Sequence, residues 1–134
     1  EAVRLRAKDK ISGKAEARDR FLECLDLNGV VLSAPDRRET LAGHLHLRCP
    51  GIDAETMLIL LDRMGVSASS GAACSSGSIE PSHVLIACGY SPEESKEGLR
   101  FTFGWDTRQD EAEEAAGRVN EAKSQILTTR AKQG

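Results

Sequence analysis

The sequence predicts an α+β fold, a small antiparallel sheet covered by helices, and three observations carry that expectation. His44-Leu45-His46-Leu47-Arg48 and Leu99-Arg100-Phe101-Thr102-Phe103 alternate polar with apolar residues, the period of a strand with one wet and one buried face. Apolar residues recur at helical spacing over 53–64 and 108–129. The strand segments lie far apart in the chain, with helices between them and no hairpin turn joining them, so they must pair at long range beneath helices on one face.

The elements follow in order. Residues 2–25 read as a long helix with a weak apolar stripe of Val3, Ile11, Ala15, the stem of Arg18, Phe21, Leu22 and Leu25. Gly13 within it predicts frayed or broken first turns. The basic residues of 1–20 are interleaved with Glu1, Asp9, Glu16 and Asp19, which reads as a solvated helix face. Asn28-Gly29 is a turn signal before a short apolar strand, Val30-Val31-Leu32. A polar loop over 35–43 precedes the strand at 44–48, which Pro50-Gly51 ends.

Asp53 is then a good N-cap for a helix to Met64, with Met57, Leu58, Leu60, Leu61 and Met64 packing and Gly65 at C′. Val66-Ser67-Ala68-Ser69 reads as a short strand feeding a loop of small residues over 69–80, expected to be mobile because it has almost no apolar surface to bury. Pro81 suits the first turn of a helix ending at Gly89. Ser91-Pro92-Glu93-Glu94 is a capping box opening a short helix to Gly98. After the strand at 99–103, Thr107 caps a last helix to about residue 129, with Ala112, Ala115, Val119, Ala122 and Ile126 inward. One antiparallel sheet of 44–48, 66–69 and 99–103 is expected, with the helices at 53–64 and 108–129 packed on it.

A chain of 134 residues fits a single domain, 1–134. The net charge of −3 shows no basic excess, which argues against a nucleic-acid or anionic-membrane surface. No stretch approaches the ~18 apolar residues of a membrane span, and no secretion signal is present, so a cytoplasmic protein is expected. Because the chain opens on Glu1, it is expected to be a fragment of a longer protein. Cys24, Cys49, Cys74 and Cys88 form no C-x-x-C pair, which argues against a zinc site and for reduced thiols. His44 and His46 share a strand face, but with no third ligand beside them no metal is expected. Cys24, Cys49 and Cys88 border core patterns and read as buried structural thiols, and His83 as a partly exposed packing residue.

The segment from Ser69 to Ser78 is the oddest: ten residues, none larger than cysteine, between a strand and a helix. A cysteine among small residues on such a loop is accessible and can travel, which suits a nucleophile that visits two places. The same composition also describes an ordinary flexible linker with an incidental cysteine.

The run Ser69-Ser70-Gly71-Ala72-Ala73-Cys74-Ser75-Ser76-Gly77, then Glu80-Pro81-Ser82-His83-Val84-Leu85, then Leu99-Arg100-Phe101-Thr102-Phe103-Gly104, resembles the cysteine desulfurases. These are pyridoxal 5'-phosphate enzymes of the class V aminotransferase fold. Gly43-His44-Leu45-His46-Leu47 and Pro50-Gly51-Ile52-Asp53-Ala54-Glu55 resemble that family's strand and following helix start, and the likeness covers roughly residues 20–130.

The resemblance implies that the domain is the C-terminal small domain of such an enzyme. It implies that Cys74 is the catalytic thiol, which takes sulfur from L-cysteine as a persulfide and leaves L-alanine. It further implies that Arg100 pairs with the substrate carboxylate, for which a guanidinium fork is well shaped. The form of the loop resembles the desulfurases with a long mobile loop, which serve iron–sulfur cluster assembly.

The family's cofactor lysine lies in a Ser-Gly-His-Lys setting that this sequence lacks; Lys8, Lys10, Lys14, Lys96, Lys123 and Lys132 have other contexts. The resemblance therefore implies that pyridoxal phosphate is bound by a large domain outside this chain, and that the chain alone is inactive. The partners it implies are that large domain, a sulfur acceptor or iron–sulfur scaffold, and a second copy in a full-length homodimer. Two other readings stay open: a stand-alone persulfide carrier, and the small domain of a cystine or selenocysteine lyase.

Overall fold

The structure is a computed structural model that describes residues 2–36, 38, 40–70, 73–75 and 78–134. In chain order the elements are α1 (Ala2–Cys24), β1 (Val31–Leu32), β2 (His44–Arg48), α2 (Ala54–Arg63), β3 (Ser69–Ser70), β4 (Ala73–Ser75), β5 (Ser78–Glu80), α3 (His83–Ala87), α4 (Pro92–Ser95), β6 (Gly98–Thr102) and α5 (Gln109–Gln133). Four strands make an antiparallel sheet in the order β1-β2-β6-β3, and β4 pairs with β5 in a separate ribbon.

The register of β2 on β6 follows from the alternation in both strands. Leu45 lies opposite Phe101 and Leu47 opposite Leu99, which puts all four side chains on the core face. His44 opposite Thr102, His46 opposite Arg100 and Arg48 opposite Gly98 then occupy the other face. A slip of one residue would bury the histidines and expose the leucines, so the apolar pattern holds the register.

Helices α1, α2 and α5 cover the core face through Ala17, Phe21, Leu22, Leu25, Met57, Leu61, Ala116, Val119 and Ile126. Phe21 stands at the centre, its ring centroid 5.0 Å from that of Phe101 and 5.4 Å edge-on from that of Phe103. Asp53 caps α2 by accepting the Thr56 N–H, and Gly65 after it takes the left-handed φ of 75° expected at C′. Ser91 and Glu94 form the expected capping box of α4.

Several expectations shift. Helix α1 runs unbroken through Gly13, and among the described side chains its core contact lies in the C-terminal half: Ile11 of the expected stripe is exposed and Ala17 is buried, while Val3 lies outside the described side chains. In α5 the inward face carries Ala116 and Lys123. The Lys123 ammonium donates to the carbonyls of Asp26 and Asn28, each at 2.7 Å, and Asn120 donates to the carbonyl of Cys24. These polar groups satisfy backbone at the end of α1, which an apolar-stripe reading cannot anticipate.

The third strand of the sheet is 69–70 rather than 66–69, because Val66 belongs to the core beyond α2. Pro81 sits just outside α3, whose cap is Ser82. Thr107 accepts the Gly104 N–H, and the last helix starts one residue later, with the Arg108 N–H donating to Glu111. The expected loop over 69–80 is partly strand where it is described, and its remaining residues, 71, 72, 76 and 77, lie outside the described ones.

Truncating Phe21 to alanine should lower the unfolding free energy by about 3–5 kcal/mol, as large core aromatics do. Ile59→Ala, at a site 51% exposed, should stay within about 0.5 kcal/mol. Urea titration of both variants checks this; equal losses would contradict the packing of α1 against the sheet.

Candidate functional site

The face of the sheet turned away from the core carries a row of four residues in register. Ser33 donates its N–H to the His46 carbonyl at 3.1 Å, continuing the β1 pairing; His46 lies opposite Arg100, and Arg100 opposite Ser69. A groove of about 610 Å³ opens over this row, lined by Ser33, His44, His46, Ser70, Ser82, Val84, Leu85, Cys88, Tyr90 and Arg100. Alternation put the histidines and Arg100 on wet faces, but Ser33, Ser82 and Tyr90 carried no signal in the sequence, because they reach the groove only through tertiary placement.

The two arginines of this face differ. The Arg48 guanidinium is taken by Glu94 at 2.8 Å and Glu97 at 2.9 Å. Arg100 is exposed, and among the described residues its guanidinium has no hydrogen bond or ion pair and no carboxylate lines its groove. A free guanidinium among hydroxyl and imidazole groups is a site for an anion, and for a carboxylate the fork allows two parallel bonds.

His46 is half-buried and lies between Ser33 and Gly98. Its Nδ1 lies 2.5 Å from the Ser33 hydroxyl, while its Nε2 is buried without a partner. The ring covers Gly98 so closely that a Cβ there would stand 2.9 Å from Nε2, with Leu85 Cδ1 at 3.3 Å. Burial pushes the imidazole pKa down, and the neighbouring charges of His44 and Arg100 push it the same way. A proton on both ring nitrogens would leave an N–H at Nε2 with no acceptor.

Cys74 lies in β4, opposite Ile79 of β5, and only its backbone is described. It follows Ser69, the strand neighbour of Arg100, by five residues, a reach of at most about 17 Å. Of the cysteines read as buried, Cys49 is buried and its pKa is raised by burial, while Cys24 is half-buried. Cys88 is exposed, a correction that follows from α3 burying only Leu85 and lying beside the groove rather than in the core. His83, on the same short helix, is exposed. Among the described residues no cluster of three or more His, Cys, Asp or Glu is placed to hold a metal, and no helix is long and apolar enough to cross a membrane.

No protein-family model matches the chain. Curated sequences do. The chain is 37% identical over 89 residues to an IscS-like cysteine desulfurase of Mycobacterium tuberculosis, covering 65% of this chain and 23% of that protein. It is 36% identical over 115 residues to the cysteine desulfurase IscS of Pseudomonas aeruginosa, covering 81% and 26%. With Cysteine desulfurase IscS 1 of Archaeoglobus fulgidus the identity is 40% over 77 residues, covering 57% and 20%.

The chain is related in sequence to the cysteine desulfurases. It spans about a quarter of the length of these relatives, and the matches fit a C-terminal part of a cysteine desulfurase. The fold agrees. A NifS-like protein superposes with a TM-score of 0.70 at 19% identity, covering 85% of this chain and 28% of that one. A NifS-like protein from Rickettsia africae gives 0.69 at 20%, covering 85% and 29%.

The depressed pKa of His46 makes stability depend on pH with a definite sign. Between the folded pKa and the unfolded value near 6.5, the unfolded chain holds a proton that the folded chain refuses, so stability is full above about pH 6.5 and falls as the pH drops below it. Asp26 and Glu94, held low chiefly by the backbone N–H groups of Asn28 and Ser91, release their contributions only at lower pH. His46→Gln should flatten the unfolding free energy between about pH 7 and pH 5; urea midpoints across that range check it, and an unchanged slope would contradict the burial of the ring.

Proposed function

We propose that residues 1–134 form the small domain of a cysteine desulfurase, in which Arg100 binds the carboxylate of L-cysteine and Cys74 receives its sulfur. The observation that carries this reading is the guanidinium of Arg100, unpaired and without a carboxylate in its groove among the described residues, on a strand whose neighbour leads within five residues to Cys74.

In the overall reaction the Cys74 thiolate attacks the substrate sulfur. A sulfur–sulfur bond forms as the carbon–sulfur bond breaks, Cys74 ends as a persulfide, and the carbon skeleton takes a proton and leaves as L-alanine. A soft, deprotonatable nucleophile suits the sulfur, and a fixed guanidinium suits the carboxylate, so the two tasks fall to different groups.

In this reading the covalent anchor for pyridoxal phosphate lies outside this chain: among the described residues no lysine lines the groove, the Lys123 ammonium is buried against Asp26 and two carbonyls, and the Lys10 ammonium lies 4.5 Å over the Trp105 ring. We assign the cofactor to the large domain of the full enzyme, where it supplies an electron sink for the carbon chemistry. In the same reading the full enzyme is a cytoplasmic homodimer that hands sulfur to an acceptor or scaffold protein of iron–sulfur cluster or thio-cofactor synthesis. The likeness to the cysteine desulfurases supports each of these assignments.

In the full-length protein carrying this chain, Cys74→Ser should abolish persulfide formation and sulfur transfer while cysteine still binds. A hydroxyl has nearly the size of the thiol but is far too basic to react at neutral pH. Arg100→Ala should do the opposite, weakening cysteine binding by about 1.5–3 kcal/mol through the loss of a charge-assisted pair. Labelled-sulfur transfer alongside a spectral titration with L-cysteine separates the two effects. Wild-type alanine production by Cys74→Ser without added reductant would overturn the assignment.

A further inference from the structure

We propose that Gly98 is a positioning residue for the substrate carboxylate: by having no side chain it lets the His46 ring lie over it, and this keeps the space beside Arg100 open. The inference rests on the reading of Arg100 as the carboxylate site and adds to it the reason that the space beside the guanidinium is open.

Residues directly opposite on an antiparallel pair have Cβ atoms about 4.5–5.5 Å apart, so His46 and Arg100 compete for the same space above the sheet. The imidazole does not take it. The ring leans along the strand toward Gly98, the neighbour of Arg100 two positions back, and stays there for two reasons on opposite sides. The Ser33 hydroxyl holds Nδ1 at 2.5 Å, and the bare Cα of Gly98 allows Nε2 and Cε1 into the volume a side chain would fill, 2.9 and 3.1 Å from the Cβ position. The buried Nε2 without a partner is the cost of this arrangement.

Adding a methyl group at Gly98 forces the ring to move. Leu85 Cδ1, 3.3 Å from the same point, leaves the added methyl no room to lean away from the ring, and the open space beside the ring is the groove it shares with Arg100. There the displaced ring stands where the carboxylate must lie. Gly98 thus acts on the substrate only through His46, whose ring stays clear of the carboxylate as long as it lies over Gly98.

The test uses the full-length enzyme carrying this chain, with KM and kcat for L-cysteine and the Kd of L-alanine, which carries the carboxylate but no sulfur. Gly98→Ala should raise KM and Kd roughly tenfold, about the loss of one charge-assisted hydrogen bond, with kcat little changed. Gly98→Ala combined with His46→Ala should return both near wild type, because no ring is left to swing; a purely structural defect would not be repaired by removing a second side chain.

Should Gly98→Ala fail to fold, Ser33→Ala frees the ring without a clash. It should raise KM severalfold, again reversed by His46→Ala. Arg100→Ala separates the two levels of the argument. If Arg100→Ala raises KM and Kd while Gly98→Ala or Ser33→Ala does not, or the double variants do not recover, the Gly98 inference is wrong and the carboxylate site stands. If Arg100→Ala changes neither constant, the carboxylate site itself is wrong.

Discussion

The structure depends on the five residue pairs that join β2 to β6. This register decides which side chains become core and which become surface, since it sets Leu45 against Phe101 and Leu47 against Leu99 on one face and a one-residue slip would turn one strand's set outward. The same pairs bring His46 opposite Arg100 and set Gly98 beside both. The groove is therefore a direct product of the contact that organises the hydrophobic core. Nothing in the groove needs to be stable by itself, because the leucines and phenylalanines beneath it hold its backbone.

The remaining elements brace that pair. Helix α5 lies across the core face and, through Asn120 and Lys123, closes the carbonyls left open where α1 ends. On the groove face Arg48 binds both Glu94 and Glu97, and Glu97 also accepts the Gly51 N–H at 2.6 Å, so α4 is tied to β2 and to the turn before α2. Several charges in a half-buried cluster resist rearrangement better than isolated surface pairs. That rigidity matters to the site, since α4 leads straight into Gly98.

Much of this was legible in the sequence where one rule dominates. Alternation identified β2 and β6 and their wet faces, Asp53 and the Ser91–Glu94 box marked helix starts, and the small-residue run around Cys74 marked the unusual segment. What escaped was settled by tertiary contact. Lys123 is inward because carbonyls of the turn after α1 need donors, and Cys88 is outward because α3 is too short to bury more than Leu85. Gly98 reads in the sequence as the stop of a short helix and Ser33 carries no signal, and only the register shows that the two hold one imidazole between them. The roles proposed for Cys74 and Arg100 come from the resemblance to the cysteine desulfurases, not from alternation or spacing; the curated relatives and the fold agree with the family, not with any one residue's role.

The account divides the work between a fixed arginine on the sheet and a thiol a few residues further along the chain, so its central claim is that the transferred sulfur comes to rest on Cys74. The most direct measurement is the mass of each cysteine peptide. The full-length protein is given L-cysteine carrying a heavy sulfur isotope, without reductant, and is then alkylated and digested. The account requires one additional heavy sulfur on the peptide containing Cys74 and none on those containing Cys24, Cys49 or Cys88. Heavy sulfur on Cys88, the exposed thiol of the same groove, with none on Cys74, would contradict it.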